Sequence, residues 1–288
     1  MTCPKKEHNL FSLIKRIEAF LNDIKAKGCK KEERCFKFKM IIWLFVFVAT
    51  LFLFTGVNVV LIFYPIASLE VIMEAILAPI PYTPTAMLVS TVVSLWGNAA
   101  WFLPVAVCNV LTQALSYIFS EFYRNLKRQK QEGVNLRSKI KEIREKYVAL
   151  TTMCSDLDDM VSWIFMVSYL TDIVTICFML RTAVIDVSDI YGRLVILFWI
   201  IPSGFSLITL SHYSSNLADK GEEMRGFIQQ LDATNIDMEE KFEVDLLMFH
   251  LNSQPVVLTI WKMIPLYKSI IISIFVCIIS YFTMVISF

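Results

Sequence analysis

Residues 75–120 read AILAPIPYTPTAMLVSTVVSLWGNAAWFLPVAVCNVLTQALSYIFS, a window without Asp, Glu, Lys or Arg. About 20 helical residues, rising 1.5 Å each, cross a hydrocarbon core of about 30 Å. The window therefore holds one long membrane helix or two short ones, and the choice sets the topology of the whole chain. The flanking charges decide it. Residues 1–39 carry eleven Lys and Arg, the segment 65–85 carries none, and 121–159 carries nine. Basic residues are retained on the cytoplasmic side. One helix places both basic segments inside and the poor one outside, whereas two would place nine basic residues outside. One helix, over about 86–119, is expected.

Working outward, residues 40–69, 194–218 and 269–288 are also free of charge, and 160–182 is interrupted only by Asp172 and Arg181. Spans are predicted at about 40–64, 86–119, 160–184, 191–215 and 267–288, with the amino terminus inside and the carboxyl terminus outside. The stretch 185–190 has no Lys or Arg, and 216–267 has Lys220, Arg225, Lys241 and Lys262. The fold class is thus all-α, a polytopic membrane protein of five transmembrane helices. Residues 1–39 form a cytoplasmic amphipathic segment, 40–288 the transmembrane domain, and about 120–159 and 216–266 its cytoplasmic helical parts. Composition agrees: the 288 residues are 56% hydrophobic and 18% charged, against about 45–50% and 25% for a soluble domain. The net charge of +1 excludes a strongly basic nucleic-acid binder. The first 39 residues lack the apolar run of a cleavable signal. Pro79, Pro81 and Pro84 mark an external loop, and Pro104 is expected to kink the second span.

Several spans keep an apolar period beyond the membrane. Leu136, Ile140, Ile143, Tyr147, Leu150, Leu157 and Val161 recur at helical spacing ahead of the third span. The second span continues through Phe119, Phe122, Tyr123 and Leu126, and the fourth through Leu217, Met224, Phe227 and Leu231. Phe242, Leu246, Leu247 and Phe249 make a further short apolar face before Pro255. These stripes need partners, within the chain, between subunits, or both. Leu10, Leu13, Ile14, Ile17, Phe20, Leu21 and Ile24 form an amphipathic helix that lies on the inner leaflet or against the cytoplasmic bundle.

Chemistry for catalysis is missing. His8, His212 and His250 are far apart, no HxxxH or HExxH spacing exists, and the seven cysteines contain no CxxC pair. The scattered glycines build no Walker or dinucleotide loop. No enzyme, no cofactor and no metal site is expected. Asp172 is an intramembrane carboxylate, by default functional. It faces a ligand pocket, a water path or another polar helix, or else it sits near an interface or is protonated, satisfied by Tyr169 or Thr175. Trp96, Asn98, Trp101 and Phe102 lie in the outer half of the second span, with Asn58 and Tyr64 in that of the first. Such residues suit an aromatic small-molecule pocket or an interfacial belt. In the last span, Ser273, Ser280 and Ser287 repeat at steps of seven beside Ser269 and Thr283, a stripe that lines water or packs against a neighbouring helix.

The chain ends Ser280-Tyr281-Phe282-Thr283-Met284-Val285-Ile286-Ser287-Phe288. This resembles the last helix of arthropod gustatory receptors, relatives of the insect odorant receptors, which carries Thr-Tyr, five hydrophobic residues, then Gln-Phe. Tyr281 and Phe288 match at the family spacing, with Ser280 for Thr and Ser287 for Gln. The long second span leading into Phe122-Tyr123-Arg124-Asn125-Leu126 and the helix entering the third span are similar too. The resemblance implies a ligand-gated cation channel of the plasma membrane. It implies assembly as a homo- or heterotetramer with related receptors, and a small-molecule tastant as ligand. Tyr281, Ser280, Thr283, Ser287 and Phe288 would then lie at the pore gate, with Asn58, Trp96, Asn98, Trp101 and Asp172 at the pocket. It also implies that the first two of the family's seven spans are lacking. The alternatives are a truncated receptor and a non-channel scaffold or auxiliary subunit.

Overall fold

The computed structural model describes residues 10–26, 30–63, 83–133, 139–185, 187, 190–230 and 238–287. Among these it forms seven helices: α1 (Leu10–Ala26), α2 (Lys30–Phe63), α3 (Pro84–Gln131), α4 (Ile140–Ile185), α5 (Ile190–Gln229), α6 (Met238–Ser253) and α7 (Lys268–Ser287). One antiparallel hairpin, β1 (Thr259–Ile260) with β2 (Ile264–Pro265), precedes α7. Five helices, α2, α3, α4, α5 and α7, are long and apolar enough to cross a membrane, so the fold is all-α with the expected five candidate spans. Pro79, Pro81 and most of the expected loop around them, Tyr64, Leu136, Leu231 and Phe288 lie outside the described residues.

α3 begins at Pro84, where a proline gives up no helical hydrogen bond and brings a preset φ, and it continues through Pro104. At 48 residues it is about 72 Å long, more than twice a hydrocarbon core. The 46 residues of α4 carry the same consequence: both helices must run on outside the bilayer.

The chain folds as two compact units. The first draws on the chain up to Lys37, Asn109–Phe165 and Ser211–Lys268; the second on Phe38–Cys108, Met166–Leu210 and Ser269–Phe288. In the first unit the apolar stripes read from the sequence form the core. Ile140, Ile143, Tyr147, Leu150, Leu157 and Val161 of α4 are all buried, as are Phe119, Phe122 and Leu126 of α3 and Leu217, Met224 and Phe227 of α5. α1 packs into this bundle through Leu13 and Ile17. Its Arg16 guanidinium donates to the Asp156 carboxylate at 2.6 Å, while Phe11 remains exposed.

Two parts of the first unit differ from expectation. On α6 the buried pair is Leu247 and Leu251, and Phe242 and Phe249 are exposed. Residues 242 and 249 share one face and 251 lies across the helix from them; Glu243, paired with Arg144 at 2.5 Å, and Asn252, bonded to Arg225 at 2.7 Å, hold the roll that buries the leucines. The expected helical segment to 266 stops at Ser253, because Pro255 has no N–H to continue it, and the hairpin takes over.

In the second unit aromatic rings bridge the helices. Trp43 and Phe47 of α2 meet Phe205 of α5, with centroids 5.8 and 5.4 Å apart, and Phe54 meets Phe198 of α5 at 6.0 Å and Phe102 of α3 at 6.4 Å. Such pairs add about 0.5–1.5 kcal/mol each beyond their area, which is how long apolar helices gain specific partners in a solvent as apolar as their own side chains.

Candidate functional site: the last helix, its clamp and a buried carboxylate

α7 is the least covered helix. None of the 18 residues of its apolar window, Lys268–Val285, is buried. Ile271, Ile274, Ile278, Tyr281, Phe282 and Val285 are half-buried and define the face turned to its own unit. At 100° per residue, Ser269, Ser273, Ser280, Thr283 and Ser287 fall on the other side, and all five are exposed. Three of the five hydroxyls spend their donors at home. Ser273 donates to the Ser269 carbonyl at 3.1 Å, Thr283 to that of Ile279 at 2.6 Å and Ser287 to that of Met284 at 2.8 Å. A hydroxyl bonded this way costs little to place at the surface of a membrane helix, and its oxygen lone pairs still point outward as acceptors. Of the residues expected at a gate, Ser280, Thr283 and Ser287 share the outward face; Tyr281 sits on the other one.

The hairpin before α7 is clamped to α4. Asp158, buried on α4, accepts the Thr259 amide at 2.6 Å, the Thr259 hydroxyl at 2.9 Å and the Lys262 ammonium at 2.6 Å. Lys262 also reaches Asp159 at 2.5 Å, and the Trp261 amide donates to the Ser162 carbonyl at 3.1 Å. Burial pulls the Lys262 ammonium down, but the hydrogen bonds and charges of Asp158 and Asp159 outweigh it and hold its pKa above the ordinary 10.5. Trp261 and Lys262 both have left-handed backbone, φ 49° and 59°. Asn-Gly is the cheap sequence for two consecutive residues of positive φ, and these two are the central residues of a tight turn closed by the Met263 amide donating to the Ile260 carbonyl at 3.0 Å, within a three-residue loop between Ile260 and Ile264. Here Trp and Lys adopt it because their side chains are held, Trp261 against the Trp163 ring at 5.6 Å and Lys262 on the carboxylates.

In the second unit Asp172 is fully buried. The polar side chains that reach toward it are Ser206 and Ser203 of α5 and Trp101 of α3, not the Tyr169 or Thr175 of its own helix. None closes a hydrogen bond: both Asp172 oxygens and the Ser206 hydroxyl are buried without a partner. Of the other residues expected at a pocket, Asn98 donates to the Thr55 hydroxyl at 3.4 Å, Trp96 is 79% exposed, and Asn58 lies on α2 with its side chain outside the described set. The structure thus joins Trp101 to Asp172 and separates Trp96 from both. Ser203, Ser206 and the Asp158 clamp were missed by sequence reasoning; the signal for the serines was their spacing of three on a span facing the one intramembrane carboxylate.

A family model described as 7tm Chemosensory receptor matches residues 5–288. The fold is similar to that of the insect olfactory receptor OR5 from Machilis hrabei, with a TM-score of 0.63 at 12% identity over 96% of this chain and 74% of that one. The structure of the same receptor in complex with eugenol matches with a TM-score of 0.60 at 13% identity, over the same 96% and 74%. At such identity the likeness is one of fold. No curated protein sequence matches the chain.

Proposed function

We propose that this chain, which belongs to the 7tm chemosensory receptor family, is a non-enzymatic, ligand-gated cation channel subunit of the gustatory type. It acts in the plasma membrane, with its amino terminus inside and its carboxyl terminus outside. The observation that carries the channel reading is the outward hydroxyl row of α7, on a helix that its own chain leaves uncovered. Four copies of such a helix around an axis give a water path lined by oxygen acceptors, the lining that lets a cation shed part of its hydration shell. Tastants of small size are proposed to bind in the second unit, among Trp101, Asn98 and the rings around Phe54. The gustatory assignment rests on the carboxyl-terminal Tyr281…Phe288 pattern.

Expression in cells, alone and with a full-length relative, tests this. A panel of sugars, bitter compounds and volatile odorants is applied while whole-cell current is recorded. A cation current evoked by a tastant, with permeability ratios altered in Ser287→Ala and Thr283→Val, is the expected result. A current evoked by volatiles alone makes it an odorant receptor, and no current under any ligand or co-expression favours the scaffold alternative. An amino-terminal tag that antibodies reach on intact cells refutes the orientation.

A further inference from the structure

The hairpin between α6 and α7 has a buried base and an exposed tip. Val256 and Leu258 on one side and Leu266 on the other are buried in the first unit, whereas Trp261, Lys262, Met263 and Ile264 at the tip are exposed, Met263 at 72%. Trp163 of α4, 55% exposed, stands beside the tip with its ring 5.6 Å from that of Trp261. Two indoles, a methionine and an isoleucine thus gather around one lysine on the outside of the unit. Two contacts fix their level along α4: the Trp261 amide donates to the Ser162 carbonyl at 3.1 Å, and the Lys262 ammonium to Asp158 at 2.6 Å. Asp158 and Asp159 are the last charges of α4 before the uncharged run 160–171, so Ser162 lies only about 4.5 Å inside that run. On the other side of the hairpin Lys268 opens α7, whose uncharged run begins at Ser269. Both flanking helices therefore put the tip at the line where charge gives way to hydrocarbon.

We propose that the hairpin tip, together with Trp163, is a lipid-docking surface that lies in the headgroup zone of the bilayer and fixes the depth at which α7 enters it. Side chains with an apolar body and a polar end are what that zone selects: Trp is enriched there, and Lys lays its stem along apolar surface while its ammonium stays wet. The ammonium has three hydrogens. Asp158 and Asp159 take two, at 2.6 and 2.5 Å, which leaves one for an ester or phosphate oxygen of a phospholipid. A second copy of the chain fits the same surface less well, because lysine is depleted from the cores of protein interfaces. That the leaflet is the cytoplasmic one rests on the orientation proposed above; the depth does not.

The experiment places the full-length chain in nanodiscs of phosphatidylcholine, either unmodified or brominated on the acyl chains close to the glycerol or close to the methyl end, and records tryptophan emission. The difference between wild type and Trp261→Phe isolates Trp261. Met263→Trp adds an indole at the most exposed position of the tip and gives a second reading should Trp261→Phe not fold. Both indoles are expected to be quenched several-fold more by bromine close to the glycerol than by bromine close to the methyl end, and only in part by aqueous iodide. Quenching by iodide without any effect of bromine puts the tip in water and overturns the proposal. Protection from both quenchers overturns it too, by showing the tip covered by protein such as a second copy, as does stronger quenching from the methyl end, which puts the tip deep in hydrocarbon. Bromine reads depth from the nearer surface in either leaflet, so an inverted orientation, detected with the amino-terminal tag, leaves this result unchanged.

Discussion

Removing the Asp158 side chain opens the hairpin that feeds α7. Asp158→Ala deletes the acceptor of the Thr259 amide, the Thr259 hydroxyl and the Lys262 ammonium at once. Hydrogen bonds to a charged group are worth about 1.5–3 kcal/mol each, and breaking a buried pair costs about 3–5 kcal/mol. Lys262 is 45% exposed and regains water, so the lower end, about 3 kcal/mol, applies. The left-handed backbone of Trp261 and Lys262, strained by roughly 1 kcal/mol per residue, is the same with and without Asp158 and adds nothing to this difference. Since 1.4 kcal/mol is a factor of ten, protection of the hairpin amides falls about 100-fold. Hydrogen–deuterium exchange with mass spectrometry reads this at Trp261, whose amide is bonded to Ser162, and at Leu266, bonded to Leu258 at 2.9 Å. Asp158→Asn keeps one acceptor oxygen and is expected to lose about 10-fold. Unchanged exchange at both amides refutes the clamp, and acceleration of equal size throughout α3 reduces it to general destabilisation.

A Cβ at Gly221 would stand 2.5 Å from Cβ of Val256, so Gly221→Ala is expected to lower thermal stability by about 1–3 kcal/mol through overpacking, with partial recovery in Gly221→Ala/Val256→Gly. Arg16→Ala removes the contact at 2.6 Å that ties α1 to the Asp156 carboxylate, 8% exposed; cleavage within α1 by added protease should accelerate while α3 stays protected. Lys262, held above 10.5 in the fold, contributes stability that is fully present below 10.5 and disappears as pH rises through its higher folded value. Near-ultraviolet circular dichroism from the Trp163–Trp261 pair should therefore stay constant from neutral pH to about 10.5 and change above it, and Lys262→Met should lack that alkaline transition.

What could be read from the sequence is what repeats. The buried face of α4 returns every three or four residues, so Ile140, Ile143, Tyr147 and Leu150 announced themselves without knowledge of their partners. The spans were legible because a membrane helix is defined by the absence of charge over a fixed length. The Asp172 cluster was only half legible. The carboxylate stood out, but Ser203, Ser206 and Trp101 come from two other helices, and no periodicity within one helix says which neighbour its polar residues meet. The hairpin was invisible: strands of two residues have no alternation, and its turn uses Trp261 and Lys262 where sequence rules look for Asn-Gly. On α7 the step of seven revealed the serine row, but only burial showed that Tyr281, one residue and 100° from Ser280, belongs to the other side.

Lack of cover alone does not mark α7 as a channel wall, because α2 is nearly as bare, with 11% of its apolar window buried. The two helices differ in what they turn outward. Exposed positions of α2 are Ile41, Phe45, Phe52 and Leu53, side chains that lipid accepts without cost. α7 exposes Ile272, Val276 and Ile279 as well, yet one strip of its circumference carries Ser273, Ser280, Thr283 and Ser287. Hydroxyls bonded to their own backbone are tolerated in lipid but gain nothing there; beside water each oxygen accepts a further hydrogen bond. The distinction is measurable with single cysteines in a Cys277→Ala background, where a charged, water-soluble thiol reagent modifies only residues that meet water. Ser280→Cys is expected to react, and faster with ligand present, while Phe52→Cys on α2 stays unmodified. Equal protection of both would place the hydroxyl strip in lipid or in a dry contact between subunits, and the proposed conduction path would lose its only lining.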